Sequence, residues 1–220
     1  PRPGGPPPTQ IRLPSPHAND NPDAIVLATR HVAPFGALGF PNAHPVAVNW
    51  DAANGVWVAQ NADLHALAGG SAVNALVVED EYDYFSFVHT TSVASIENNW
   101  SYVDSSATNG RPNARLQVTQ RLWGAGGAST RNEHPIGVWY DSSEQKWAVF
   151  NQDRAPMQPG ERYNVVVVPP TEAGNLGHTA TADNTTGSST DIDHPLLNGR
   201  PDALLYVTQN YNPGGGWGGV

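Results

Sequence analysis

One block of sequence occurs three times along this chain, at a nearly constant spacing. Asn113–Gln120 (NARLQVTQ) is matched by Asp202–Gln209 (DALLYVTQ) and, more distantly, by Asp23–Arg30 (DAIVLATR). The alanine in the second position of each block is Ala24, Ala114 and Ala203, which gives spacings of 90 and 89 residues. Most solenoid and propeller repeats are shorter than this, so each copy is predicted to be a domain-sized unit.

The period divides the chain into four predicted parts: a Pro-rich extended arm, two β repeats and a partial third repeat, at residues 1–23, 24–113, 114–202 and 203–220. The arm has the composition of a polyproline II segment and is expected to lie along a neighbouring subunit, with a position against its own chain as the alternative. The partial third copy contains one strand and a Gly-rich turn. That strand should complete another unit, either in this chain or in a neighbouring one.

Short β-branched and aromatic segments between turn residues predict an all-β fold built from two tandem antiparallel sandwich-like repeats. Val46–Asp51 and Val56–Gln60 flank Asn54-Gly55, which is typical of a hairpin. Ile136–Asp141 and Lys146–Phe150 occupy the same place in the second repeat. No segment has a convincing helical period. The stretches 96–102 and 185–191 do not match each other and are predicted to be loops.

Composition argues against several classes of protein. The net charge is −9, so nucleic acids and anionic membranes are poor partners, because both attract basic surfaces. No apolar run is long enough for a transmembrane helix, so membrane insertion is not expected. The chain has no cysteine and no Gly-x-Ser-x-Gly motif, which leaves nucleophilic catalysis without support. No catalytic residue is predicted, and a hydrolase using two carboxylates is the weakest alternative.

The terminal strand is the main candidate for a functional segment. It is predicted to pair with the edge of a sheet in an adjacent unit, as in β-strand addition. Its backbone would provide the hydrogen bonds and its apolar side chains the register. The predicted assembly residues are Ala203, Leu204, Leu205, Val207 and Gln209. In the alternative interpretation, the strand simply closes the second repeat of the same chain.

Aromatic residues in or near polar and Gly-rich stretches are candidates for contacts with other molecules. Trp139, Tyr211 and Trp217 are assigned to subunit interfaces. Trp100 and Trp123 are assigned to glycan contact, since aromatic rings also stack on sugars. The adjacent residues Trp139 and Tyr140 should point to opposite faces of a strand.

Acidic residues recur at the ends of the predicted strands. Asp51, Asp141 and Asp153 are weak candidates for Ca²⁺ ligands, because this ion prefers oxygen ligands. No EF-hand-type loop is present, and Asp also caps turns by bonding to its own backbone, which is the favoured interpretation. No other cofactor is predicted. His44-Pro45 and His134-Pro135 are 90 residues apart and are interpreted as the starts of strands rather than as metal ligands.

Three blocks resemble an uncharacterised tandem-repeat domain of secreted bacterial proteins. They are His134–Asp141 (HPIGVWYD), Lys146–Asp153 (KWAVFNQD) and Asn198–Gly214. The resemblance covers roughly residues 20–220 and is weaker in the first repeat, where Asn49-Trp50 replaces Trp139-Tyr140. It implies an extracellular or cell-surface location and a repeat architecture, but no activity.

Together these observations predict a non-enzymatic structural subunit of an extracellular homopolymer, such as a surface filament or sheath, assembled by strand complementation. Its partner would be another copy of itself. The alternative function is a lectin-like adhesive module that binds surface glycans.

Overall fold

The computed structural model describes residues 9–32, 42–79, 85–169, 172 and 174–216. These residues contain no α-helix, and the predicted all-β fold is confirmed. A short 3-10 turn lies at Pro213–Gly215. The strands along the described ranges are β1 (Gln10–Leu13), β2 (Ile25–His31), β3 (Val46–Asp51), β4 (Val56–Asn61), β5 (Ala72–Val78), β6 (Phe85–Thr90), β7 (Ile96–Glu97), β8 (Trp100–Val103), β9 (Arg115–Arg121), β10 (Trp123–Gly124), β11 (Gly127–Ala128), β12 (Ile136–Asp141), β13 (Lys146–Asn151), β14 (Arg162–Val168), β15 (Thr185–Thr186) and β16 (Ser189–Thr190).

Residues 85–168 form a β-sandwich, called unit 2 here. One layer has the strand order β9-β14-β6 and the other β12-β13-β8-β7, and the strands within each layer are antiparallel. Apolar side chains from both layers make one core, which includes Val103, Tyr140, Trp147 and Val165. These side chains alternate with outward-facing ones along their strands, as expected for a sandwich.

Residues 10–78 form a smaller sandwich, called unit 1. Its layers are β1-β4-β3 and β2-β5, and they enclose a core around Val26, Val48 and Trp57. Gly55 has a positive φ of 62° in the β3–β4 hairpin. A Cβ at this position would lie 2.3 Å from the Asp20 carboxylate, so both backbone conformation and space require glycine.

Each strand of unit 1 has an equivalent in unit 2, in the order β8, β9, β12, β13 and β14 for β1 to β5. Trp57 Nε1 donates to the Asn21 carbonyl at 3.0 Å, and Trp147 Nε1 donates to the Arg111 carbonyl at 2.9 Å. Both tryptophans are fully buried. Each hydrogen bond therefore attaches the turn before β2 or before β9 to the core of the same unit. The sequence period is thus also a structural period.

Strand β1 corrects the prediction for the N-terminal arm. Gln10–Leu13 pairs with β4 of its own chain, from Gln10 opposite Gln60 to Leu13 opposite Trp57. The equivalent strand, β8, pairs in the same way with β13. Residues 10–13 thus belong to unit 1 and do not extend along a neighbour, because they contain no proline and their backbone can form a ladder. Residues 1–8 lie outside the described residues.

The strand pairing also groups residues differently from the predicted division at residues 113 and 114. That boundary separates β8 from its partner β13 and β6 from its partner β14. The predicted loop 96–102 is the β7–β8 hairpin, because its two short strands pair through their backbones. The unit 2 sandwich therefore starts at β6, about one third of a period before the repeated block Asn113–Gln120.

Residues 174–216, called the C-terminal segment, follow the pattern of the first half of unit 2. The hairpin β15–β16 corresponds to β7–β8. His178 Nε2 lies 2.7 Å from Thr190 Oγ1, as His89 Nε2 lies 2.9 Å from Ser101 Oγ. The predicted strand 203–209 is extended along unit 2 without forming a continuous ladder.

Candidate functional site at the junctions between units

A parallel strand pair joins unit 1 to unit 2. Strands β3 and β9 are in register at Ala47 opposite Gln120 and at Val48 opposite Arg121, and this pairing merges layers of both units into one six-stranded sheet. The backbone N–H of Leu122 donates to the Val48 carbonyl at 2.9 Å. The unit–unit contact is therefore made first by main-chain hydrogen bonds, which depend little on side-chain identity.

A buried arginine reinforces this first junction. Arg121 is only 2% exposed, and its guanidinium donates to the carbonyls of Pro22 and Ala24 and to Asn164 Oδ1. Burial lowers the pKa of Arg121, the nearby Asp23 opposes this effect, and the charge of Arg162 adds to it. The charge is held mainly by neutral carbonyl and amide oxygens from both units.

The second junction repeats the first. The N–H of Val138 donates to the Gln209 carbonyl at 2.8 Å, and the N–H of Tyr211 donates to the Val138 carbonyl at 2.9 Å. Val138 is the equivalent of Val48, and Asn210, its bridge partner, is the equivalent of Arg121. The end of the predicted assembly strand thus lies beside β12 of its own chain, which is one of the two possibilities left open by the sequence.

Asn212 secures the second junction. Its Oδ1 accepts the N–H of Tyr140 at 2.8 Å and its Nδ2 donates to the Tyr140 carbonyl at 2.8 Å. The asparagine side chain therefore bonds to the Tyr140 backbone in the way that the backbone of a paired strand would. Leu204 and Val207, in contrast, are 61% and 63% exposed, and Ala203 and Leu205 are partly exposed.

Three equivalent segments, residues 27–29, 117–119 and 206–208, meet around one small cavity of about 10 Å³. The N–H of Ala28 donates to Thr119 Oγ1 at 3.0 Å, and the N–H of Val118 donates to Thr208 Oγ1 at 3.0 Å. Each threonine thus binds the segment of the preceding unit. A cavity of this size has room for about one water molecule, so it is a packing junction and not a ligand site.

A pair of equivalent asparagines closes this arrangement. Asn164 Nδ2 donates from unit 2 to the Val26 carbonyl of unit 1 at 2.8 Å. Asn74 Nδ2 donates from unit 1 to the Leu205 carbonyl of the C-terminal segment at 3.0 Å. Unit 2 therefore bonds to the first strand of unit 1, and unit 1 bonds to the equivalent residues of the C-terminal segment.

The predicted aromatic sites are distributed over different parts of the fold. Trp139 is half-buried on the outer face of β12, where it packs edge-to-face on Trp100 with ring centroids 5.5 Å apart. Tyr140 points into the core, as the alternation predicts. Tyr211 packs against Phe150 on the same outer face. Trp123, 44% exposed, lies in the separate β10–β11 hairpin. Trp217 lies outside the described residues.

The three predicted Ca²⁺ ligands are not brought together. Asp51 and Asp141 each cap their own hairpin, accepting hydrogen bonds from Ala53 and Asn54 and from Ser143 and Glu144. Asp153 accepts the N–H of Ala155 and pairs with His134 at 2.7 Å. The residues therefore act as turn caps, which local side-chain bonding to the backbone explains.

The sequence analysis missed a cluster in unit 1 that combines two imidazoles and a carboxylate. His44 Nδ1 lies 2.6 Å and His65 Nδ1 lies 3.2 Å from the same oxygen of Asp63. Burial alone would raise the pKa of Asp63, but hydrogen bonds from His44 and from the His65 backbone, with the charges of both imidazoles, hold that pKa below its usual value. Among the described residues, this is the group with the geometry of a metal site.

A comparison with known protein families assigns this chain to one of them. A family described as a domain of unknown function, DUF7452, matches residues 47–168 and again residues 142–220. The chain belongs to this family. The two DUF7452 matches overlap at residues 142–168. No curated protein and no solved structure matches the chain. Within the described ranges, no helix is long and apolar enough to cross a membrane.

Proposed function

We propose that this DUF7452 protein is a non-enzymatic structural subunit of an extracellular homopolymer that assembles by β-strand complementation. The observation that carries the proposal is a difference between two equivalent strands. Strand β14 pairs on both edges, with β9 and with β6. Its equivalent β5 pairs, within the described residues, with β2 alone. One edge of β5 corresponds to the edge of β14 that β6 covers in unit 2, and the Tyr206 hydroxyl donates to the Ala75 carbonyl of β5.

The C-terminal segment contains the strand that would fit this position. Residues 174–179 are the equivalent of β6, as the matching bonds of His178 and His89 indicate. In the described part of the chain they pair with no strand. One copy can thus donate residues 174–179 to β5 of the next copy. Such a contact joins two different surfaces and produces an open filament when it repeats.

The register of this contact follows from unit 2. There Val165 lies opposite Phe87 and Tyr163 opposite His89. Shifted by one period, Ala75 of one copy should lie opposite Leu176 of another. The chain has no cysteine, so every disulfide that forms must involve an introduced cysteine. We expect Ala75→Cys combined with Leu176→Cys to give a ladder of covalent oligomers on oxidation in non-reducing gels.

The controls separate strand donation from random collision. Each single variant should give dimers at most. The pair Val165→Cys and Leu176→Cys should give no ladder, because β6 already covers that edge of β14. Light scattering and negative-stain electron microscopy of the unmodified protein should show filaments. A monodisperse monomer at all concentrations, together with no ladder from the cysteine pair, would refute the proposal.

Glycan binding is a second candidate function, supported by the outer face of β12, β13 and β8. Trp100, Trp139, Phe150 and Tyr211 lie on this face. Unit 1 has polar residues in three of these places, where the side-chain amides of Gln10 and Asn49 both donate to Gln60 Oε1. If unit 2 binds sugars here, Trp139→Ala should abolish retention on polysaccharide resin without changing assembly, and Asn49→Ala should change neither.

A further inference from the structure

The hairpin of β3 and β4 brings His44, Asp63 and His65 together. His44 lies two residues before β3, while Asp63 and His65 follow β4 by two and four residues. Since the strands are antiparallel, with Val46 opposite Asn61, the start of one and the end of the other meet at the same edge. The two imidazole rings stack with centroids 4.4 Å apart and an interplanar angle of 15°.

The backbone holds these side chains in place. Asp63 Oδ1 accepts the N–H of His65 at 3.1 Å, which leaves Oδ2 directed at both rings. Leu64 has a positive φ of 61°, so the chain turns back sharply between Asp63 and His65. Asn61 Nδ2 donates to the His65 carbonyl at 2.8 Å and fixes the far side of the turn.

The donor set and spacing suit a transition metal ion. Two imidazole nitrogens and one carboxylate oxygen lie within 4.8 Å of one another. Zinc bonds of about 2.0–2.1 Å at tetrahedral angles place ligand atoms about 3.3 Å apart. The distance from His65 Nδ1 to Asp63 Oδ2 is already 3.2 Å, while the 2.6 Å distance from His44 must widen by several tenths of an ångström. The stacked rings must also turn, because an ion can lie in the planes of both imidazoles only where those planes cross. The side chains of His44 and His65 are 34% and 67% exposed, so both rings have room to make these adjustments.

We propose that His44, Asp63 and His65 bind a divalent transition metal ion, with Zn²⁺ the best fit to two imidazoles and a carboxylate. Water would occupy the fourth position, as in open zinc sites with three protein ligands. Ca²⁺ is a poor candidate, because it prefers six to eight oxygen ligands. Binding would cross-link the segment before β3 to the turn after β4 and stabilise unit 1 by mass action.

Unit 2 contains the same framework with one ligand missing. His134 Nδ1 lies 2.7 Å from Asp153 Oδ2, and the N–H of Ala155 donates to Asp153 Oδ1 at 3.1 Å. Ala155 stands where unit 1 has His65. The chain therefore includes its own two-ligand control, in which a single substitution should complete the site.

Metal titration tests the proposal. The full chain, stripped with a chelator, is titrated with ZnCl₂ by calorimetry, and CoCl₂ is used to detect the visible absorption of tetrahedral Co²⁺. We expect one ion per chain for the unmodified protein, none for His65→Ala and two for Ala155→His. His17→Ala removes an exposed histidine outside the group and should still bind one ion.

The outcomes distinguish a built site from casual binding by surface histidines. Zinc stoichiometry that stays the same in His65→Ala and Ala155→His would overturn the proposal, as would tighter binding of CaCl₂ than of ZnCl₂. The gain of a second site in Ala155→His does not depend on a variant that fails to fold, and circular dichroism confirms folding of His65→Ala. This site is independent of assembly, so light scattering of the unmodified protein, which has no cysteine, should show the same assembly with and without zinc.

Discussion

The guanidinium carbon of Arg121 lies 4.9 Å from the centre of the Trp57 ring, and this contact joins the two units. Arg121 ends β9 of unit 2, whereas Trp57 is in the core of unit 1. Arginine suits this position because its planar fork can bond to several carbonyls while its face stacks on an aromatic ring. Gly124 makes room for it, since a Cβ there would lie 2.0 Å from the guanidinium.

Replacing Arg121 by methionine should weaken the junction. The variant keeps an apolar chain but loses the cation–π contact and removes the donor that the Ala24 carbonyl and Asn164 Oδ1 have in a buried site. The Pro22 carbonyl keeps its bond from the Ala125 N–H. We expect the free energy of unfolding to fall by about 3 kcal/mol. Urea denaturation measures the change. Arg12→Met, at an exposed position in β1, is the control and should cost less than about 0.5 kcal/mol. Equal losses in the two variants would contradict this role of Arg121.

Removing Asn212 should release the C-terminal segment from unit 2. Asn212→Ala loses both hydrogen bonds to the Tyr140 backbone, at a cost of about 2 kcal/mol. Hydrogen exchange at the amides of Tyr140 and Tyr211 should become faster, while exchange in unit 1 strands β3 and β4 stays unchanged. Asn198→Ala, in an exposed turn of the same segment, serves as the control. If exchange at Tyr140 does not change, Asn212 is not the anchor.

Gly137 provides a steric test of the same junction. A Cβ there would lie 2.7 Å from the Phe150 ring and 3.1 Å from the Gln209 carbonyl oxygen. Gly137→Ala should therefore push residues 209–211 away from β12 and destabilise the docked segment by about 1–3 kcal/mol. Limited proteolysis should cut the C-terminal segment faster than in the unmodified protein. Gly69→Ala, with no atom within 4 Å of the added Cβ, should behave like the unmodified protein.

The stability of unit 2 should depend on pH through His89. Burial lowers the pKa of His89 from 6.5 to about 4. Because the unfolded chain takes up this proton first, the contribution of His89 is fully present above pH 6.5 and is lost as the pH falls towards 4. The loss amounts to about 3 kcal/mol at most. His89→Gln removes the titration, so its unfolding free energy should fall less over this range in urea titrations. Parallel curves for both proteins would show that His89 does not titrate as described.

The strands of this fold differ in how far their local sequence predicts them. Strands such as β3, β4, β12 and β13 have β-branched and aromatic residues around recognisable turns, so their local sequence predicts both the strand and the hairpin. Strands β1 and β8 share no residues at equivalent positions, Gln10–Leu13 against Trp100–Val103. Their pairing with β4 and β13 uses backbone groups, which any sequence without proline offers, and so was missed.

The candidate metal site was missed for a related reason. Residues that recur with the period stand out in the sequence, and His65 does not recur, since Ala155 takes its place. A cluster that occurs in only one unit cannot be found by comparing the repeats with each other. The spacing of His44, Asp63 and His65 around a predicted hairpin was the signal that could have found it, because an antiparallel hairpin brings its two outer ends together.

The sequence by itself determined the period, the all-β class and the turn-capping roles of Asp51 and Asp141, because these depend on local composition and on comparing the chain with itself. Only the tertiary structure decided where each unit begins and which unit receives each strand. A repeat period has the same length whichever residue it is counted from, so the period alone does not show where a folded unit begins. The boundary is determined by which strands share backbone hydrogen bonds and one core, and those partners lie up to 50 residues apart between β8 and β13, where Phe150 is opposite Trp100.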